Sequence, residues 1–231
     1  AESIAGNQRL QSRVHVHLEV IYGEQAKDLV KPVIEAMRYV GDFDEPAPYQ
    51  NYWDESDCWM ITYATSIHEK GEPGLKTLQG FCDRFLADTV NGLHILPFYP
   101  FSSDDGFAVI DYCAVNDAAG SWDDIRSIAS RYRLMSDLVI NHVSSRSVWF
   151  QNFISRKDPG KDFFKETTPD EDLSMVVRPR STPLRTEVET VDGKRWVWCT
   201  FGPDQVDLDF GNPEVLLRFL EIVRFYLENG V

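Results

Sequence analysis

Three short apolar runs, at 58–64 (CWMITYA), 92–98 (GLHILPF) and 138–140 (LVI), alternate with two stretches of helical periodicity. That alternation constrains the fold more than any other feature of the chain. In the first stretch Leu75, Leu78, Phe81, Cys82, Phe85 and Leu86 recur at helical intervals behind Pro73-Gly74. In the second, a helix predicted over 122–132 starts at Ser121, with Asp124 in capping-box position. Connections of this length suit parallel crossovers, so strand, helix, strand, helix, strand reads as an α/β pattern. Leu138, Val139 and Ile140 are too branched and too few for a helix and predict a buried strand. Asp137, Asn141 and His142 crowd its end, and in a β/α barrel the C-terminal strand ends carry the active site. A core strand ending in a satisfied histidine is the bland alternative, and only the neighbouring loops weigh against it.

The flanking segments complete the architecture. Val30, Val33, Ile34 and Met37 give the region up to about residue 45 one apolar helical face, which Gly41 closes. After a short helix at 147–156, residues 157–209 form an insertion rich in Pro, Thr, Asp and Arg. It contains a predicted hairpin, 187–191 and 194–201, with Asp192-Gly193 as its turn and Trp196 and Trp198 alternating. A last helix has Asn212 as cap and Pro213 in first position. Leu216, Leu217, Leu220, Val223 and Leu227 form its apolar face, and Gly230 ends it. Val231 then starts a fourth strand. The sequence therefore divides into an N-terminal helical arm (1–50), the first part of a (β/α)8 barrel (51–156), an inserted domain after strand three (157–209) and a barrel helix leading to strand four (210–231). A closed barrel needs eight strands and about 250 residues, so the chain is expected to be the N-terminal part of a longer protein. A complete small domain of doubly wound type is the competing architecture.

Composition narrows the partners. A net charge of −14 argues against nucleic acid or an anionic membrane surface, while leaving room for a small anion held by a local cluster of Arg. Cys58, Cys82, Cys113 and Cys199 lie far apart, with no CxxC, and read as mostly buried thiols of a reducing compartment. No stretch has the length and apolarity of a signal peptide or membrane span, so a cytoplasmic protein is expected. The first residue is Ala rather than Met, which suggests trimming at that end.

GxGxxG, P-loop and HExxH motifs are absent. Asp104-Asp105 precede Gly106-Phe107 in a loop with Phe98, Tyr99, Phe101 and Tyr112. Taken alone, the two acids read as a solvated turn. Carboxylates beside aromatic faces nevertheless suit a sugar, whose hydroxyls need polar partners and whose C–H faces stack on rings. Arg178, Arg180 and Arg185 lie close together in the insertion, as a solvated basic patch or as an anion site.

DLVINH at 137–142 resembles the first signature of the α-amylase family of retaining glycoside hydrolases and transglycosidases, and GFAVIDY at 106–112 its aromatic-plus-Asp loop. HILPFYPFSSDDGFAVIDY, LMSDLVINH and WCTFGPDQVDLD together are similar to that family's sucrose phosphorylase subgroup. NYWDESD, SSDDGF, RPR and the long arm are most similar to its glucosylglycerate phosphorylase branch. The resemblance implies that Asp104 grips the outer hydroxyls of a donor glucose and that His142 hydrogen-bonds its 6-hydroxyl. It implies that Phe107 and Phe201 are aromatic walls, that Gln205 faces the acceptor side and that Arg180 helps hold an anionic acceptor, with Arg178 or Arg185 as alternatives. Asp105 stands where many members have Arg, so its role is open. Asp137 and Asn141 read as structural, and the calcium that Asn holds in true amylases is absent from this subgroup.

The implied reaction is double displacement, with inorganic phosphate as co-substrate, no cofactor and no metal. The nucleophile Asp and acid Glu are expected after Val231, so no catalytic residue is assigned within the chain and the chain alone is expected to be inactive. Close alternatives are a sucrose phosphorylase proper and a hydrolase or transglycosidase with the same donor pocket. A non-catalytic barrel acting as a binding module is the alternative of another class. The family often forms homodimers.

Overall fold

The computed structural model describes residues 8–38, 54–178 and 180–231. The chain divides into two compact units, Ala1–Ser56 with Phe210–Glu228, and Asp57–Asp209 with Asn229–Val231. In the first unit, helices α1 (Gln8–Tyr22) and α2 (Ala26–Met37) are joined by one 3₁₀ turn. Leu18, Ala26 and Val33 are buried, and Leu216, Leu217 and Leu220 of α6 (Pro213–Glu228) pack on the same cluster. Arg38 takes a left-handed conformation directly after α2. The expected stop at Gly41, the boundary at residue 50 and the NYW of NYWDESD lie outside the described residues.

Helix α6 starts as its sequence dictates. Glu214 N donates to Asn212 Oδ1 at 3.0 Å, and Pro213 occupies a position whose N–H has no helical acceptor. Its buried face differs from the expected one. Val215, Phe219, Ile222 and Tyr226 are buried, whereas Leu227 is 66% exposed. These four also follow the helical period, so α6 carries two apolar stripes, and the leucines belong to the one facing the arm.

The second unit is built on a parallel three-stranded sheet, in the order β1 (Trp59–Thr62), β2 (Gly92–Ile95), β3 (Arg133–Ser136). The crossovers are α3 (Gly74–Phe85) and α4 (Trp122–Ala129). Ser121 caps α4 by accepting from Asp124 N while the Asp124 carboxylate accepts from the Ser121 N–H, the reciprocal arrangement that the sequence indicates. Leu93, Ile95, Leu75, Leu78, Ile125 and Ile128 are fully buried and form the core of this unit. Trp59, Ile61 and Met135 point to the opposite face of the sheet and are exposed among the described residues. In a closed barrel that face is filled by layers of side chains.

The third strand is not where the apolar run predicts. The ladder with β2 ends at Ile95↔Ser136, and residues 138–140 pair with no strand; Leu138 and Ile140 are 39% and 45% exposed. Proline explains the stop. Pro97, opposite the start of the apolar run, has no N–H to continue the ladder, and it also ends β2 short of Phe98. Only Val139 is buried, its carbonyl accepting from the Tyr112 hydroxyl at 2.7 Å.

Helix α5 (Val148–Ser155) and the insertion follow. Phe150 and Phe153 of α5 pack against Phe164, with centroids 5.1 and 5.4 Å apart, and tie the insertion to the helix. Within the insertion, β5 (Glu166–Thr167), β7 (Gly193–Trp198) and β6 (Arg185–Thr190) form an antiparallel sheet in that order. The hairpin turn is Val191-Asp192, one residue earlier than predicted, because Thr190 and Gly193 are already paired. Gly193 sits at φ +108°, so it is needed for its backbone beside the turn. None of the four cysteines forms a disulfide; Cys82 and Cys199 are buried, but Cys58 and Cys113 are exposed, against the expectation of mostly buried thiols. No helix of the described residues is long and apolar enough to cross a membrane.

Candidate functional site

A short antiparallel ladder brings distant residues together. β4 (His142–Ser144) pairs with β8 (Gln205–Asp207) in the register His142↔Asp207, Val143↔Val206, Ser144↔Gln205. Alternation then puts His142, Ser144, Gln205 and Asp207 on one face and the buried pair Val143 and Val206 on the other. Tyr112 props this ladder from below. Its buried hydroxyl donates to the carbonyls of Val139 and His142, and burial with Tyr99 nearby raises its pKa far above the phenol range.

The loop after β2 delivers the carboxylates. Asp104, Asp105 and Gly106 all have positive φ, at +57°, +50° and +108°. A Cβ on Gly106 would stand 2.7 Å from the Pro97 carbonyl oxygen, so glycine is required there twice over. This turn sends the two adjacent acids to different places. Asp104 Oδ2 accepts from Gln205 Nε2 at 2.8 Å. Asp105 instead lines a separate cavity of about 490 Å³, with Tyr63, Ser66, Pro97, Phe101 and Asn116, beyond the ends of β1 and β2.

His142 is 4% exposed. Its Nε2 lies 3.0 Å from the Phe107 carbonyl and 3.1 Å from Gln205 Nε2, and its Nδ1 lies 3.4 Å from Asn141 Nδ2. A carbonyl only accepts and an amide nitrogen only donates, so the neutral ring carries its proton on Nε2, toward Phe107. The Gln205 amide is then a close neighbour, with its own hydrogen bond on Asp104. Phe201 closes the other side, its ring 4.8 Å from the imidazole.

Burial lowers the His142 pKa below 6.5, against the opposing pull of the Phe107 carbonyl and of Asp207 and Asp104. The ring is therefore neutral at pH 7, and its one N–H, at Nε2, rests on the Phe107 carbonyl. Between the folded value and about 6.5 the unfolded chain binds a proton that the folded chain does not, so this group makes stability fall as pH drops through that window. The check is the imidazole NMR titration, whose midpoint is expected below 6.5; a midpoint at or above it contradicts the geometry.

The three insertion arginines separate by their contacts. Arg178 donates to the Thr200 carbonyl at 2.7 Å, and Arg185 to the Thr168 and Glu171 carbonyls at 2.8 and 3.2 Å. Both tie down insertion backbone. Arg180 lies over the Phe201 ring, 5.6 Å from its centroid, at the edge of the His142 cluster. The structure thus gathers Asp104, His142, Gln205 and Phe201 with Arg180 at their edge, and Phe107 contributes its carbonyl. Asn141 donates to Asp207 at 3.3 Å, and Asp137 pairs with His94 at 2.9 Å outside the cluster.

Two acids of DQVDLD were not singled out by sequence reasoning. Asp207 accepts from the Thr200 N–H at 3.0 Å and from its hydroxyl, holding the backbone just before Phe201. Asp204 accepts from the hydroxyls of Ser102, Ser103 and Ser145. The signal was the pair of serine doublets, SSDD and VSSR, which find a shared acceptor only once the loops meet.

The alpha amylase catalytic-domain family matches residues 66–231. The glucosylglycerate phosphorylase of Allomeiothermus silvanus is 43% identical over 96% of this chain, and the sucrose phosphorylase of Streptococcus mutans is 34% identical over 74% of it. The chain spans 39% and 36% of those two relatives. Among solved structures, the sucrose 6F-phosphate phosphorylase of Thermoanaerobacter thermosaccharolyticum is similar over 76% of this chain and 38% of its own, with a TM-score of 0.69 and 31% identity.

Proposed function

The chain belongs to the α-amylase family, and from that premise we propose that it supplies the donor-glucose half of a retaining, glucosyl-transferring phosphorylase. The observation that carries this reading is the convergence of Asp104, His142, Gln205 and Phe201 at one ladder end. The Asp104 carboxylate accepts hydroxyls, the neutral His142 shares its Nε2–H between the Phe107 carbonyl and a sugar hydroxyl, and the Phe201 ring, 38% exposed, offers a stacking face. Phe107 forms the second wall, and Gln205 donates to the Asp104 carboxylate beside the imidazole. None of these groups is a nucleophile or proton donor in the reaction. In a double displacement that work falls to two further carboxylates, an Asp nucleophile and a Glu acid, which we assign to the rest of the barrel. Phosphate then takes the glucosyl group, giving α-glucose 1-phosphate with retention. No cofactor enters this scheme.

We assign the leaving acceptor to the glycerate class. Arg180, held over Phe201 at the edge of the cluster, supports this with a guanidinium for a carboxylate. The similarity to glucosylglycerate phosphorylases, at higher identity than to sucrose phosphorylases, supports it independently. The test supplies the whole protein with phosphate and either glucosylglycerate or sucrose and measures glucose 1-phosphate. Release from glucosylglycerate is the expected result. Release from sucrose alone removes the acceptor assignment and keeps the donor site. Free glucose without glucose 1-phosphate moves the protein to the hydrolases, and no turnover makes it a binding module.

A further inference from the structure

Ser102 and Ser103 come from the loop after β2 and Ser144 and Ser145 from the end of β4, yet three of the four meet on one carboxylate and the fourth, Ser144, joins them through Ser102. Asp204 Oδ2 accepts from the Ser102 hydroxyl and from the Ser103 hydroxyl at 2.7 Å, while Oδ1 accepts from the Ser145 hydroxyl. The Ser145 N–H donates to the Asp204 carbonyl at 2.9 Å, and the Ser144 hydroxyl lies 2.5 Å from that of Ser102. Each contact adjoins a residue of the cluster. Ser103 precedes Asp104, Ser144 ends the strand that His142 begins, and Gln205 follows Asp204 directly.

We infer that Asp204 is a positioning residue: its carboxylate locks the loops of Asp104, His142 and Gln205 into one geometry, and it acts on the sugar through Asp104. Three observations carry this. Asp104 and Asp105 hold consecutive left-handed conformations, which persist in non-glycine residues only when the surroundings fix them. The hydroxyls of the two residues just before that turn both end on Asp204. An ionised carboxylate has about four acceptor sites, enough for three hydroxyls, whereas an asparagine has only half as many. The charge state agrees with the geometry. Burial alone would raise the Asp204 carboxyl, but the hydroxyls of Ser102, Ser145 and Ser103 hold it below the ordinary carboxylate value. It is therefore ionised at pH 7.

This inference rests on the proposed reading only in calling the cluster a sugar site, and its test uses glucose binding rather than turnover. Glucose affinity of the whole protein is measured by calorimetry for Asp204→Asn, Asp104→Asn and the double variant. Asp204→Asn is expected to weaken glucose by about fivefold or more, and the double variant to bind no worse than Asp104→Asn, as for coupled neighbours. Losses that multiply independently, or an unchanged affinity in Asp204→Asn, overturn the inference. Should Asp204→Asn fail to fold, Ser103→Ala takes its place in the cycle, removing one donor and keeping the carboxylate. A wild-type protein that binds glucose but makes no glucose 1-phosphate would remove the phosphorylase reading and leave the cycle decisive for Asp204.

Discussion

Replacing Asp104 by alanine is expected to lower kcat/KM for phosphorolysis by the whole protein about 10³-fold. In the proposed role the carboxylate accepts two sugar hydroxyls, and charge-assisted hydrogen bonds contribute about 1.5–3 kcal/mol each. Two of them amount to about 10²–10⁴-fold in rate if they persist in the transition state. The substitution also leaves Gln205 Nε2 without the acceptor it has at 2.8 Å. His142→Ala removes a neutral donor and is expected to cost less, about tenfold to a hundredfold. Steady-state kinetics of the two variants checks both figures. Activity of Asp104→Ala within tenfold of the wild type contradicts the assignment.

Gly106→Ala is expected to destabilise the protein by about 3 kcal/mol, through the backbone rather than any lost contact. At φ +108° an L side chain costs about 1–2 kcal/mol. The new Cβ meets the Pro97 carbonyl at 2.7 Å, and relieving that contact adds about 1–3 kcal/mol. The turn cannot yield without moving Asp104, so glucose affinity should fall with stability. Gly80→Ala is the control. Gly80 lies in α3 at ordinary φ with nothing within 4 Å of an added Cβ, so alanine there is expected to stabilise by up to about 1 kcal/mol. Urea unfolding of the two variants compares them, and equal midpoints would contradict the argument.

What the sequence made legible follows from the range of each signal. Parallel order, both crossover helices and the α4 capping box rest on local periodicity and on Ser121 with Asp124, and all are found. β3 lies earlier than its apolar run indicates, because such a run says that residues avoid water but not which neighbour has an N–H to offer. Pro97, in a different segment, decides that. The leucines of α6 fit one helical stripe so well that they mask the second, Val215, Phe219, Ile222 and Tyr226. Asp104, His142, Gln205 and Phe201 came from motifs, and the structure brings them together. Asp204 could not be read that way. A carboxylate whose partners lie 59 to 102 residues away in sequence leaves no local pattern, and only the β4–β8 register exposes its role.

A crystal structure of the whole protein with glucose tests the donor-site assignment directly. The expected result places two sugar hydroxyls on the Asp104 carboxylate, one within hydrogen-bond reach of His142 Nε2, and the ring against Phe201. Glucose held elsewhere, in the cavity beside Asp105 for example, with Asp104 still on Gln205 alone, would contradict it.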